Sequence, residues 1–164
     1  MKRLIILILL TCTGISANAE HKISGSFDIL KKESRINFVL DFSKAHIFGM
    51  SEADFAKHEE DWYKDQPQIN GYFLEELNDK LEKITRFGKY PEANYTLKIN
   101  VIEVSHQGSF DCNVILSDKE GNIIGEITDL IGEEASWGTK LYHIKCGAGE
   151  YGEKLGKILK KLLK

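Results

Sequence analysis

The residues most suggestive of chemistry are Gly147-Ala148-Gly149-Glu150-Tyr151-Gly152, a letter-for-letter G-x-G-x-x-G. In a dinucleotide fold such glycines let a pyrophosphate approach a helix N-terminus. That unit must run on into a helix, a further strand and an acidic residue about 20 positions later. Only 12 residues follow Gly152, so the necessary context is missing. Ala148, Gly152 and Gly156 also stand four apart. That spacing makes a ridge of small residues on one helix face, which lets the helix lie close on a sheet. A second near-match is Gly49-Met50-Ser51-Glu52-Ala53, one residue short of G-x-S-x-G. A nucleophile elbow needs an acid and a histidine placed by a much larger sheet. Ser51 followed by Glu52 and Asp54 is instead a helix N-cap with acids at the positive end of the dipole. Met50 and Phe55 stand at the two positions of a hydrophobic staple.

Metal-ligating residue types are present without a metal-ligating arrangement. His58-Glu59-Glu60-Asp61 is charge-rich, but consecutive helical residues point in different directions and do not converge on one ion. Asp61 and Asp65 share a face, yet two carboxylates do not make a calcium site. His143-x-x-Cys146 has zinc-like spacing on one side only, and His21, His46 and His106 are scattered. No catalytic residue, cofactor or metal is assigned from these patterns.

Cys112 and Cys146 are a candidate disulfide in an exported chain. Closing that loop of about 34 residues contributes roughly 3.5–4 kcal/mol in the chain-entropy model. The other reading is two free thiols, packed as small hydrophobes. Trp62, Tyr63, Trp137 and Tyr142 are aromatics available for contact with a partner or for the core. Asn94-Tyr95-Thr96 is a glycosylation acceptor pattern at the start of an expected strand.

One domain must position these residues. The chain has 164 residues, a formal net charge of −3, 42% hydrophobic and 29% charged residues, and two prolines. That is the balance of a globular domain rather than a disordered one, and it is not basic enough for a typical nucleic-acid binder. Met1-Lys2-Arg3, the apolar run Leu4 to Leu10 and the small-x-small Ala17-Asn18-Ala19 form a Sec-type signal peptide, 1–19. The apolar run is far shorter than the roughly 20 residues a spanning helix needs. Leu9-Leu10-Thr11-Cys12 approaches a lipoprotein box, with threonine where a small residue is usual. Loss of Lys2 and Arg3 with the leader moves the net charge from −3 to −5 and places residues 20–164 in the periplasm or outside the cell.

After the leader, Ile23 to Leu30 alternates loosely and Ile36, Phe38, Leu40 and Phe42 alternate strictly, which predicts two strands able to pair as a hairpin. Ser51 opens a helix, and Pro67 interrupts it or starts the next. Phe73, Leu77, Leu81 and Ile84 form the stripe of an amphipathic helix, stopped at Gly88. Leu97, Ile99 and Val101 alternate, and the phase changes at Ile102 and Val104 as at a β-bulge. Phe110 to Leu116 and Ile123 to Ile131 are strands joined at Asp118 to Asn122. Gly147 to Lys164 is the last helix. The order β(β)-α-β-β-β-α predicts an α+β two-layer sandwich, a mainly antiparallel sheet of 4–5 strands with helices on one face.

This order, with Ile36-Asn37-Phe38-Val39-Leu40-Asp41-Phe42, Phe73-Leu74-Glu75-Glu76-Leu77-Asn78-Asp79-Lys80-Leu81, the meander from Tyr95 to Ile131 and Gly152-Glu153-Lys154-Leu155-Gly156-Lys157, resembles small bacterial envelope domains. They are the TolB N-terminal domain and the CsgG and LpoB lipoproteins. The whole chain is also similar to the signal-bearing secreted proteins of Bacteroides-type bacteria. The resemblance implies an α+β fold and an envelope location, and no catalytic residues. A secure lipid-anchoring cysteine, expected in several of those lipoproteins, is missing. The function expected is a non-enzymatic module that binds another envelope or secreted protein. The alternatives are a small-molecule or glycan-binding module and a small hydrolase. N-terminal sequencing of the exported protein is expected to begin at Glu20; a chain starting at a lipid-modified Cys12 contradicts both the cleavage site and the unanchored location.

Overall fold

Apolar residues at every second position build the buried face of the sheet. In the computed structural model, which describes residues 21–134 and 138–164, Ile36 and Phe38 of β2 (Arg35–Asp41) point to the buried face. So do Leu97, Ile99 and Val101 of β6 (Tyr95–Val104) and Phe110, Cys112, Val114 and Leu116 of β7 (Phe110–Asp118). The expected bulge is present: the β6–β7 register shifts between Val101 and Glu103, which returns Val104 to the core. β8 (Ile123–Ile131) completes the meander.

The sheet is larger and more mixed than the sequence predicts. Among the described residues it has eight strands, in the path β1 (Lys22–Gly25)-β8-β7-β6-β2-β5 (Arg86–Gly88), with β3 (His46–Ile47) and β4 (Met50–Ser51) beside it. β1 does not form a hairpin with β2 but pairs antiparallel with β8 at the far edge. Phe27 and Leu30 explain the diversion. Both are buried around a 3-10 turn at Asp28–Lys31, which carries the chain under the sheet before β2 begins. β2 runs parallel to β6 on one side and to β5 on the other. β5 has only three residues and one core side chain, Phe87, too few for an alternation to register.

The helices also begin and end elsewhere than expected. α1 (Glu52–His58) is capped by Ser51, whose Oγ accepts from the Asp54 N–H at 3.2 Å. The break falls at Glu59 to Asp61, and Pro67 lies inside α2 (Trp62–Leu81). So early in a helix, proline removes a single bond, that from its own missing N–H to the Tyr63 carbonyl. α2 ends at Leu81 and not at Gly88, which belongs to β5. α3 (Lys140–Leu162) is capped by Thr139 and starts a full seven residues before Gly147. The glycine motif therefore lies within a helix and forms no phosphate loop.

Both long helices cover one sheet face, and the other face carries no helix among the described residues. The core joins the layers through Phe38, Phe73 and Tyr151, with ring centroids 5.1 Å and 5.7 Å apart in turn. The small-residue ridge faces α2 rather than the sheet. A Cβ on Gly152 would stand 2.4 Å from the Phe73 carbonyl oxygen, and one on Gly156 2.7 Å from Lys80 Cβ. Bare backbone thus lets the helices touch. Gly152→Ala is expected to lower stability by about 1–3 kcal/mol through overpacking. Gly71→Ala, at an exposed position in α2 with open space around it, is expected to raise it by about 0.5–1 kcal/mol. Denaturant unfolding of the two variants checks the contrast.

Candidate functional site

The outermost row of the sheet is interrupted, and the interruption is the most distinctive surface feature of the fold. The Arg86 N–H donates to the Ser34 carbonyl at 3.1 Å. In a parallel ladder, backbone groups alternate from one side of a strand to the other. The even residues of β2 therefore turn their N–H and C=O toward β5, and the odd ones toward β6. β5 ends at Gly88, opposite Asn37. On the same side β4 appears only beside β3, opposite His46 and Ile47. Along Phe38 to Asp41 no strand among the described residues continues the row. The Phe38 carbonyl and both backbone groups of Leu40 point into this gap.

A groove of about 500 Å³ occupies the gap, with Asn37 to Leu40 and Phe42 as its floor. Tyr63, Gln66, Pro67 and Asn70 of α2 form one wall, and Lys89 and Pro91 close the β5 end. Pro67 on that wall leaves the Tyr63 carbonyl without its helical donor.

Both ends are held firmly. Asn78 of α2 accepts from the Phe87 N–H at 2.8 Å and donates to the Phe87 carbonyl at 3.0 Å, which clamps β5. Asn37 Oδ1 accepts from the Tyr90 N–H at 3.1 Å, and its Nδ2 donates to Thr96 Oγ1 at 3.2 Å. A Cβ on Gly88 would press to 3.0 Å on the Tyr90 ring, so glycine lets that ring pack close against β5. At the other end Lys98 Nζ lies 2.7 Å from Asp41 Oδ2. The Lys98 hydrogen bond, opposed by burial and helped by the Ser43 N–H, holds the Asp41 carboxyl at about 2 instead of 3.8.

Of the candidate partner-contact aromatics, the structure brings Tyr63 to the groove, 62% exposed. Trp62 is a correction: it is only 2% exposed, edge-on to Phe42 and Phe55 at 5.2 and 5.1 Å, and its indole N–H donates to Glu52 at 2.7 Å. Tyr142 is 54% exposed on α3, away from the groove. Trp137, Cys12 and the leader lie outside the described residues.

Cys112 and Cys146 are free thiols, so the bridge is not formed. Cys112 is buried under Tyr151, whose hydroxyl donates to the Cys112 carbonyl at 3.4 Å, and burial pushes its thiol up. Cys146 sits beside Tyr72 and Glu76 on the α2 side. Ser51 Oγ donates to Asp54 at 2.8 Å and serves as a cap. His143 Nδ1 lies 3.2 Å from the His106 carbonyl, and its Nε2 is buried without a partner. Burial raises the Asp111 carboxyl, with Glu103 and Asp129 adding to it, on the open sheet face. No metal-holding group occurs among the described residues, and no helix among them is long and apolar enough to cross a membrane.

The sequence signals for the groove are Pro67 and the polar Asn37 between Ile36 and Phe38; the gap itself has none, because it depends on where β5 stops.

No protein-family model matches the chain, and no curated protein matches it. Among solved structures it is similar to a PelC dodecamer from Paraburkholderia phytofirmans, at 11% identity and a TM-score of 0.46, covering 82% of this chain and 96% of that one. A single-substitution PelC variant from the same organism gives 12% identity and 0.46, over 83% and 95%. Likeness at this level assigns no function. Neither neighbour is a TolB, CsgG or LpoB protein, so that resemblance stays an expectation.

Asp41 ends β2, with its carboxylate on the open sheet face beside Lys98, and its titration reports on that pair. Its folded pKa is depressed, so its contribution is complete above pH 4 and is lost as the pH falls through about 2. Asp41→Asn is expected to cost about 1 kcal/mol at pH 7, after allowing for solvent screening of the pair, and nothing once the pH is well below the folded value, at about pH 1. Stability measured against pH in both proteins checks this.

Proposed function

We propose that the chain is a non-enzymatic, exported interaction module that takes an extended segment of another envelope or secreted protein into the gap along β2. The observation that carries this reading is the missing stretch of outer strand, open at Leu40 and bounded by β5 and β4. An edge with unpaired N–H and C=O groups is a template for strand addition. A segment of about four residues, about 13 Å long at strand rise, fits between the two short strands. It would pair with Leu40 and set alternate side chains against Phe42, Tyr63 and Pro67. Strands added this way gain main-chain hydrogen bonds whatever the sequence, and side-chain pockets add the specificity.

A glycan is the second reading. Tyr63 with the amides of Gln66 and Asn70 is a lining that suits sugar hydroxyls. The strand reading is favoured because the Leu40 N–H and carbonyl face the groove as an unpaired donor and acceptor among the described residues.

A photo-crosslinking residue at Tyr63, in the envelope of the producing cell, separates the two. The expected adduct is polypeptide. It is expected to disappear in Asn70→Trp, which fills the groove from α2, and in Leu40→Pro. The latter removes the outward N–H while sparing the β2–β6 ladder; Val39→Pro, which breaks that ladder, is expected to unfold more readily. A glycan adduct, or a polypeptide adduct indifferent to a folded Asn70→Trp protein, contradicts the proposal.

A further inference from the structure

The gap along β2 is closed at the β5 end, and we infer from the charge there that its occupant is the C-terminus of the partner chain, bound antiparallel to β2 with its carboxylate at Lys89. This inference rests on the strand-addition reading above. A segment laid beside Phe38 to Asp41 cannot continue past Asn37, because Gly88 of β5 already occupies that side. Asn78 of α2 and Asn37 of β2 hold β5 and the Tyr90 turn in place, so the obstruction is not displaced at little cost. The segment must end there or turn out into solvent.

Lys89 stands at this end and, among the described residues, is the only charged side chain lining the groove. No carboxylate lies within ion-pair distance of it among the described residues, in contrast to Lys98, which Asp41 neutralises at the other end. A chain terminating at Lys89 brings a carboxylate to an uncompensated ammonium. The opposite orientation would bring an α-ammonium to it and be repelled. Direction and terminus are therefore set together: the partner enters from the Asp41 end and stops at Asn37. A charge-assisted hydrogen bond to a carboxylate is about twice as strong as a neutral one, so this single contact separates a free terminus from an internal strand.

The test uses arrayed heptapeptides of random sequence in two sets, both tethered at their N-termini, one with free carboxylates and one amidated. The purified mature chain and its Lys89→Gln, Lys89→Arg and Leu40→Pro variants are the probes. Lys89 is exposed and makes no ion pair among the described residues, so its substitutions are expected to leave the fold unchanged, which thermal unfolding verifies. The expected result is binding to free-carboxylate peptides only. Lys89→Gln is expected to weaken it by about tenfold and Lys89→Arg to retain it. Equal binding to the amidated set, or indifference to Lys89→Gln, overturns C-terminal capture and leaves strand addition standing. Absence of binding on both sets, or binding untouched in folded Leu40→Pro protein, overturns the strand-addition reading itself.

Discussion

Backbone contact between α2 and α3 is the constraint on which the rest of the structure depends. One sheet face has to be covered by two long helices, and they meet where Gly152 and Gly156 offer no side chain to Phe73, Leu77 and Lys80. With α3 seated there, α2 is brought over β2. Phe73 then reaches Phe38 and Tyr151, and Asn78 reaches the backbone of β5. The distance from α2 to the sheet edge, and with it the groove at Tyr63 and Asn70, is thus set by an interface that shares none of the groove's own residues. A bulkier residue at 152 would move the wall as well as cost stability.

The open edge is the second constraint. Natural sheets commonly protect an edge with short strands, charges, proline or a covering element. Here two very short strands protect the ends of the outer row and leave the middle. Leu40 keeps its side chain partly against the core while its backbone faces the groove. Pro67 on the opposite wall adds a helical carbonyl without its usual donor. The groove therefore combines backbone hydrogen-bonding groups with a wall of Tyr63, Pro67 and the amides of Gln66 and Asn70, which is the lining the proposed strand addition uses. Asp111, Cys112 and Tyr151, whose values burial raises, lie elsewhere.

Much of the fold was legible where a pattern repeats. Alternation identifies β2, β6 and β7, the hairpin loop at Asp118 to Asn122 identifies β8, and the change of phase after Val101 marks the bulge. The acids after Ser51 mark the cap of α1. What escaped was set by tertiary contact. The start of α3 is hidden by glycines of low helix propensity, whose place in the helix is fixed by packing on α2 and on the Gly108 carbonyl. β5 is too short to alternate, and its partner lies about 50 residues away in the chain. Trp62 and Tyr63 are neighbours in sequence, but about 100° separates them around a helix, so one is core and the other surface. Without the position of β5, the gap that makes Tyr63 part of a site was not visible.

Amide hydrogen exchange resolved by NMR along β2 tests the central claim most directly, because it reads the backbone of the gap itself. In the ligand-free protein, the account predicts slow exchange for Val39 and Asp41, whose N–H groups face β6, and exchange orders of magnitude faster for Leu40 between them. Protection of Leu40 equal to that of its two neighbours would show that its N–H is already bonded, and that the edge of β2 is not open.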